Sequence, residues 1–574
     1  MGGVLPRMDD RLIPDNMAVE AVNCDLTGGQ LVGLPLSEFL IDLSSKLPVV
    51  ERAYRFPSRE GNIIWLPLPS RYSSVVRSPL ANDMYDRVYW TNPGDVSPHW
   101  STPGDIVAGN PPLDVGMQHP MTAPTILGVS SGSPDLMIDR SYVYTYVNAY
   151  NEESAPSPAS NVFSGPADAY WYILDIPISP PPNDPGRNYA PIVGVRLYRT
   201  IVSASSGAQF YFVAAGSYNP GNGLSGEYVD MIPDSQAVMN EVLESTGYRN
   251  PPDYLDGLVS LPGGFLAGFT ENTIHFSEPN RPYTWPDVYD QTANYKIVSL
   301  AVGQQFLIIL TEGYTSVASG NSPSNIILTR TQVAEPCISR GSVIVDMSGV
   351  FYASQNGLIQ TTGFGMQNMT APIMEKNEWL LRYKAKDLMA ARHRSQFMAV
   401  NGTDTGFLVD YGEQRLAFQD LSYLKGVVCI WNDEYTGDTM MCANGVIYEW
   451  DHPGNEPQIY RWKSKQFFTP MPLSLGAVQV ELDPEVWTPP PLTPLHPLDN
   501  GDVTINLPTG INAQFRYYAG PGLSLMMSRN LTQQMEIFRL PNGFKCFDHQ
   551  FEVVSRVPIS SIQVATTLGE LKTA

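Results

Sequence analysis

From residue 250 to residue 460 the chain is a succession of short apolar runs closed by turn residues. This spacing constrains the fold more than any other feature of the sequence. Gly264–Phe269, Ile274–Ser277, Phe306–Leu310, Ser342–Asp346, Gly349–Ala353, Leu358–Thr361, Phe397–Asn401, Phe407–Asp410, Val427–Trp431, Thr439–Cys442 and Val446–Trp450 all read as strands. Their connectors include Ser348-Gly349, Asn356-Gly357 and Asn444-Gly445. Asn-Gly between apolar runs signals a hairpin, because a type I′ turn needs positive φ at both central residues. Many short strands at even spacing predict the blades of a β-propeller over residues 251–460.

The flanks extend this reading. Residues 1–130 show little helical periodicity; Asn62–Leu66 and Asp86–Gly94 read as strands running into turns. Val88–Trp100 (VYWTNPGDVSPHW) resembles Ile274–Pro286 (IHFSEPNRPYTWP). In both, a strand is followed by Ser or Thr, then x-Pro, a second Pro and a Trp. The similarity predicts a shared blade motif, and so a propeller that begins within residues 1–130. Residues 131–250 read as a separate β unit interrupting it. In Ser141–Tyr150 (SYVYTYVNAY), Tyr142, Tyr144 and Tyr146 fall on one face and Val143 and Val147 on the other, the period of a half-buried strand. Further strands are expected at Tyr170–Ile176, Gly194–Ile201 and Gln209–Ala214. Ile178–Pro185 (ISPPPNDP) cannot join a ladder, because proline lacks the N–H. This spacing suggests an immunoglobulin- or fibronectin-like sandwich.

Residues 375–394 (EKNEWLLRYKAKDLMAARHR) are the one helix-like stretch, expected as a connecting helix with a solvated basic face. Residues 461–574 return to β character. Arg461–Phe468 mixes basic and aromatic positions, Val486–Asp499 (VWTPPPLTPLHPLD) reads as a rigid proline-rich loop, and Ile559–Thr566 as a strand. The expected fold is all-β: a propeller interrupted by a sandwich, with a C-terminal β docking region.

Fifty prolines, 47 glycines and a charged fraction of 16% argue against a helical bundle or a disordered chain. The 35 Lys and Arg against 57 Asp and Glu give a net charge of −22. Residues 1–130 hold 9 basic and 14 acidic side chains, 131–250 hold 5 and 12, 251–460 hold 12 and 22, and 461–574 hold 9 and 9. Such acidity disfavours a grip on phosphate backbones. The neutral last segment can dock to another protein without repulsion. No apolar run approaches the ~18 residues of a membrane span. The opening MGGVLPRMDDRLIPDN carries no signal-peptide stretch, and Pro6 breaks the myristoylation pattern. Synthesis in a cytoplasm without membrane insertion is expected.

No catalytic constellation emerges. Gly221–Gly226 (GNGLSG) matches G-x-G-x-x-G but leads into EYVDMIPDS, so a turn is expected rather than a dinucleotide fingerprint. No G-x-S-x-G, Walker A, H-E-x-x-H or EF-hand pattern occurs. His99, His119, His275, His393, His452, His496 and His549 are dispersed; four of them (His99, His119, His452 and His496) adjoin prolines, which favours loops over metal binding. Cys24, Cys337, Cys429, Cys442 and Cys546 are odd in number without a C-x-x-C, which fits small buried hydrophobes better than a disulfide framework or zinc site. Two carboxylates on a propeller face could make a glycosidase, but Asp410, Asp433, Glu434 and Asp451 close hairpins and are expected in solvated turns. Tyr283, Trp285, Trp431 and Trp450 could form a sugar platform, yet propeller cores also want large rings. No basic stripe, zinc finger or RNP motif appears. Catalytic, cofactor and metal residues are therefore expected to be none.

Arg11–Leu31 (RLIPDNMAVEAVNCDLTGGQL) resembles the start of bacteriophage tail proteins, where an L-P-D-x-x-A-x-x-A-x-N segment precedes a G-x-L turn; Ile13 stands in for the Leu. Tyr144–Ala159 and Val195–Arg199 are similar to an inserted sandwich of those proteins, and Phe276–Pro286 to a blade motif. Asn377–Trp379, Arg461–Lys465 and Phe538–Phe544 complete the set, in matching order along nearly the whole chain. The family is that of virion structural proteins of short-tailed phages, of the tail nozzle (tail tubular protein B) type. The resemblance implies a β-propeller subunit of a hexameric ring below the portal adaptor, in the virion tail, whose channel holds back and then passes the genome. It implies no enzyme activity, contacts with portal adaptor and tail-fibre proteins, and passive contact with double-stranded DNA. The alternatives are a receptor-binding or fibre-adaptor tail protein and, behind it, a propeller glycosidase acting on host surface polysaccharide.

Overall fold

The computed structural model describes residues 2–571 except 27, 204–206, 219–225, 305, 364, 403, 412–417, 484–506 and 508–511. Residues 221–225 of the glycine-rich match and the expected loop Val486–Asp499 lie outside the described residues. The fold is all-β. The chain divides into two compact units: Met1–Ser73, Asn294–Ser319 and Leu328–Ala574 form one, and Ser74–Ala293 with Gly320–Ile327 the other.

In the second unit, two four-stranded antiparallel sheets flank a sandwich in sequence. The first contains Ser74–Arg77, Val88–Thr91, His99–Ser101 and Leu113–Asp114; the second contains Asp256–Leu261, Phe265–Thr270, Thr273–Phe276 and Gln291–Thr292. Each runs up and down in chain order, as a propeller blade does. The two similar aromatic segments do not hold equivalent places. Val88–Thr91 is the second strand of its sheet, whereas Thr273–Phe276 is the third. Trp100 and Trp285 nevertheless meet in one core, with Tyr89, Leu258 and Leu266. What the segments share is the burial of a ring after a proline turn, not a position in a repeat.

Between these sheets, Thr125–Ser130, Tyr170–Leu174 and Glu227–Asp230 form one three-stranded sheet, and Tyr142–Asn148, Ile192–Ser203 and Gly207–Ser217 another. Their inner faces share a core of Tyr142, Tyr144, Tyr146, Trp171, Ile173, Val195 and Leu197. The tyrosine alternation reaches the core as expected, while Val143 turns to the other face beside Tyr198 and Leu243. Burying side chains of this size stabilises by about 1.5–3 kcal/mol each. Ile178–Pro185 carries no strand.

The first unit holds three more four-stranded sheets and a four-strand meander within a larger one. One comprises Ile297–Val302, Leu307–Thr311, Ser316–Ser319 and Ile327–Arg330. The next comprises Ile344–Asp346, Gly349–Ser354, Gly357–Thr361 and Met366–Asn368. The meander Met389–His393, Gln396–Val400, Gly406–Asp410 and Phe418–Leu421 belongs to the larger sheet. The third four-stranded sheet takes Val427–Asn432, Thr439–Ala443 and Val446–Glu449 from one stretch and its outer strand, Glu38–Asp42, from the N-terminal region.

The N-terminal region also joins the larger sheet. Ala18–Val22 pairs parallel with Phe418–Leu421 and antiparallel with Tyr460–Ser464. Beyond it the ladder continues through Cys546–Ser555, Ala513–Ala519 and Ser524–Leu531, ten strands in all with Phe467–Leu473 off the main path. Asn23, fully buried at φ 55°, ends the inserted strand. Its amide donates to Ser422 Oγ at 2.7 Å and to the Ile459 carbonyl at 3.1 Å, and its Oδ1 accepts the Ser422 N–H at 2.8 Å. Residues 461–574, expected as a C-terminal β domain, are β as expected, but their main sheet is continuous with the strands at 389–421 through Ala18–Val22.

The stretch 375–394 departs from the expected helix. Lys376–Leu381 is helical, Lys384 takes φ 48°, Ala385–Asp387 is a 3-10 turn and Met389–His393 is a strand. Met389, Ala390 and Ala391 are buried, so ladder pairing with Gln396–Val400 outweighs their helical propensity. The basic face is not free either. Arg382 bridges Glu378 and Asp420, Arg392 bridges Asp346, and Arg394 bridges Asp25 and Asp451. Nor is the stretch alone: Pro103–Ala108, Asp234–Ala237 and Leu568–Leu571 are also short helices.

Candidate functional site

The carboxylates at hairpin ends act as local clamps rather than as a facing pair. Asp433 is almost fully buried, not solvated as expected; it takes Arg55 Nη2 at 2.6 Å and the Thr436 N–H at 2.9 Å. Glu434 accepts from Tyr54 Oη at 2.7 Å. Asp451, also buried and at φ 55°, sits 2.9 Å from Arg394 Nη2 and 3.0 Å from His393 Nε2. Asp410 ends the Gly406–Asp410 strand. Trp285, Trp431 and Trp450 are core residues. Tyr283 is only partly buried; it meets Tyr248 edge-on at 6.2 Å and lines a cavity of about 190 Å³ with His119, Glu153 and Asn250. Burial pushes the Tyr283 hydroxyl up to about 12. Glu153 is engaged by Thr145 and Tyr198, each at 2.6 Å, and by Arg196 at 3.2 Å.

Four histidines sit beside carboxylates. His99 lies 3.0 Å from Asp95 and 3.2 Å from Asp114, His275 2.9 Å from Asp290, His393 3.0 Å from Asp451 and His452 2.9 Å from Glu449. His99, expected in a loop, opens the His99–Ser101 strand, where the ring can reach both acids; His119 and His452 are in loops, and His496 lies outside the described residues. Burial alone would lower the His99 pKa, but hydrogen bonds and charge from Asp114 and Asp95 outweigh it, so the imidazole is held above its usual value.

Two buried ionic clusters escape sequence reasoning. In the sandwich, Arg199 is fully buried with Nη1 2.5 Å from Asp230 and Nη2 2.7 Å from Asp234. Arg140 reaches Asp234 at 2.7 Å and lies over the Trp171 ring at 4.7 Å, while Tyr142 Oη donates to Asp230 at 2.8 Å. In the large sheet, buried Glu552 takes Arg461 Nε and Arg516 Nη1, both at 2.9 Å, and the Tyr518 hydroxyl. The partners lie on different elements, 31 to 94 residues apart, so no short motif announces them.

Beside the strands Tyr460–Ser464 and Cys546–Ser555 lies a cavity of about 480 Å³, with apolar walls that include Trp462, Phe467, Leu475, Phe551 and Ile562 and with Asp15 and Asn16 among its lining residues. Its polar floor is His549, which shares a 2.8 Å hydrogen bond with Tyr517 and is held below its ordinary pKa by burial. Ser464 is occupied, donating to the Lys465 carbonyl and accepting the Phe551 N–H. Volume and lining suit an apolar group. The mixture of basic and aromatic positions in Arg461–Phe468 is its one signal in the sequence.

Among the described residues no group of three His, Cys, Asp or Glu side chains is placed to hold a metal ion. All five cysteines are buried free thiols, even Cys429 and Cys442, which are opposite each other in register. Burial pushes these two up to about 12 and about 11. No helix of the described residues is long and apolar enough to cross a membrane.

The fold and these sites define an all-β protein of serial four-stranded sheets with buried ionic clusters. No family model matches the chain, and no curated protein matches it. Among solved structures, it is similar to glutaminyl cyclase of Myxococcus xanthus at 14% identity and a TM-score of 0.21, covering 34% of this chain and 89% of that one. It is also similar to BBS1N, solved in complex with ARL6DN, at 9% identity and a TM-score of 0.20, covering 44% and 86%. Likenesses this low carry no argument about fold or chemistry.

Proposed function

We propose that the chain is a ring-forming nozzle subunit of a short-tailed phage tail, whose serial four-stranded sheets are blades of a β-propeller interrupted by the sandwich, and which retains and then conducts genomic DNA. The observation that carries this reading is the fate of the positive charges. Arg55, Arg87, Arg140, Arg199, Arg461 and Arg516 all bridge carboxylates of the same chain. Arginines held this way are poorly placed to grip phosphate, and the net charge of −22 remains on the rest of the molecule. Six copies would carry about −130. Carboxylates along a channel repel DNA over about a Debye length, ~8 Å at physiological salt, and so prevent adhesion during passage. Partners on this reading are further copies, a portal adaptor and tail-fibre proteins, in the virion.

Mass photometry of the purified chain tests it. Six or twelve copies per particle are expected, with no retention of double-stranded DNA on a filter at about 150 mM salt. A trimer, or a position in fibres or on the head shell in cryo-microscopy of virions, would overturn the nozzle assignment.

A further inference from the structure

The large sheet has two edges of different character in its C-terminal part. Phe467–Leu473 carries Pro470 and Pro472, which remove N–H donors and blunt that edge against pairing. Ser524–Leu531 ends the ladder on the other side, and among the described residues nothing pairs with its outer edge. It is eight residues long, contains no proline and is exposed at nearly every position. Its bulge lies near Leu525–Met527, so Met527–Leu531 stays in regular register with Ala513–Tyr517. A lysine or arginine usually guards such an edge. Here the one charged residue, Arg529, is still 45% exposed but engaged within its own chain: its Nε lies 3.1 Å from Glu536 and its guanidinium 4.9 Å from the Phe538 ring. Leu525 and Met526 on this strand, with Met535 and Ile537 on the next, are 38–53% exposed.

We infer that Ser524–Leu531 is a docking edge onto which a strand of a second copy of this chain adds. Charge selects the occupant. Residues 461–574 hold nine basic and nine acidic side chains, while residues 1–460 carry the whole −22. Two copies repel wherever their acidic parts approach, and this neutral region is where they meet without that cost. Backbone pairing along the edge supplies affinity, and the apolar side chains around it supply the dry part of the contact. The inference rests on the proposed ring in that both require self-association, but it predicts which residues carry it.

The test uses the full chain. Met526→Lys with Ser528→Lys places two unbridged cations on the edge; the concentration for half-assembly in mass photometry should rise about tenfold or more, with an unchanged circular dichroism spectrum. Ser528→Cys supplies an exposed thiol in a chain whose own five cysteines are buried. Its maleimide labelling should slow in the assembled state and recover on dilution, which keeps the inference testable even if the lysine variant misfolds. If the wild type forms six-fold rings that the lysine variant retains and Ser528→Cys labels freely, the docking edge is wrong and the ring reading stands. If the wild type forms dimers or trimers that the lysine variant dissolves, the edge stands and the nozzle reading falls. A wild type that stays monomeric at all concentrations overturns both.

Discussion

Asp230 shows what a single buried charge contributes. It is fully buried and receives Arg199 and the Tyr142 hydroxyl. Removing it leaves two guanidinium groups facing one remaining acid, Asp234. Asp230→Ala should therefore cost about 3–5 kcal/mol in denaturant unfolding, the range for breaking a buried pair, whereas replacing exposed Glu227 should cost under about 0.5 kcal/mol. His99 and Asp114 make a pH-dependent pair. The raised His99 pKa means that its stabilisation is full below the unfolded histidine value of ~6.5 and is lost as pH rises through the folded value. Against burial, the His99 and Asn188 hydrogen bonds lower the Asp114 pKa, so its part is full above the unfolded value of ~3.9 and is lost as pH falls through the folded one. The melting-temperature difference between wild type and His99→Asn should peak between about pH 4 and 6.5 and shrink toward pH 9; a difference that grows with pH would exclude this linkage. Neither cluster was legible beforehand. The tyrosine alternation at 142–146 was visible, but the acid that Tyr142 meets lies 88 residues away.

Hairpin turns were legible as turns, less so by type. Asn444-Gly445 has φ of 54° and 80°, the type I′ signature. At Asn356-Gly357 the ladder closes between Ser354 and Gly357, so the glycine follows the turn instead of occupying its centre; Gly349 sits likewise opposite Asp346. A side chain at Gly445 would place a Cβ 2.9 Å from Ser44 Cα, whereas Gly437, at φ 82°, faces open space. Gly437→Ala should thus cost only the ~1–2 kcal/mol of left-handed backbone strain, and Gly445→Ala clearly more, in the same unfolding assay. Equal costs would remove the steric argument. The Pro103–Ala108 helix carries its signals at its ends and not in apolar periodicity. Thr102 caps the Asp105 N–H, proline follows it, and Gly109 ends the helix at φ 73°. At 375–394 the opposite holds: part of a helix-favouring composition, Met389–His393, is recruited as an edge strand by its pairing with Gln396–Val400.

For the whole molecule, acidity is the dominant property, with an isoelectric point of about 4.7. Light scattering across pH should show a solubility minimum near that value and clear solution at pH 7, because net charge then keeps copies apart except where neutral surfaces meet. A minimum near neutrality would contradict the charge reading. Two sheets of the first unit draw strands from the N-terminal region: Glu38–Asp42 onto Val446–Glu449, and Ala18–Val22 between Phe418–Leu421 and Tyr460–Ser464. Contacts this distant in sequence form late and at a loop-closure cost.

All-β character and the uneven charge were determined by the sequence alone, because period-two alternation, proline's missing N–H and formal charge are local properties. Tertiary structure decided which strands share a sheet, that residues 461–574 are joined to the rest through Ala18–Val22, that the hairpin carboxylates act as clamps, and where the buried arginines find their acids. Those outcomes depend on partners tens to hundreds of residues apart, and no local pattern encodes a partner's register. The proline-free edge at Ser524–Leu531 belongs to both levels: its composition is written in the residues, but its lack of a neighbour among the described residues exists only once the sheet has formed.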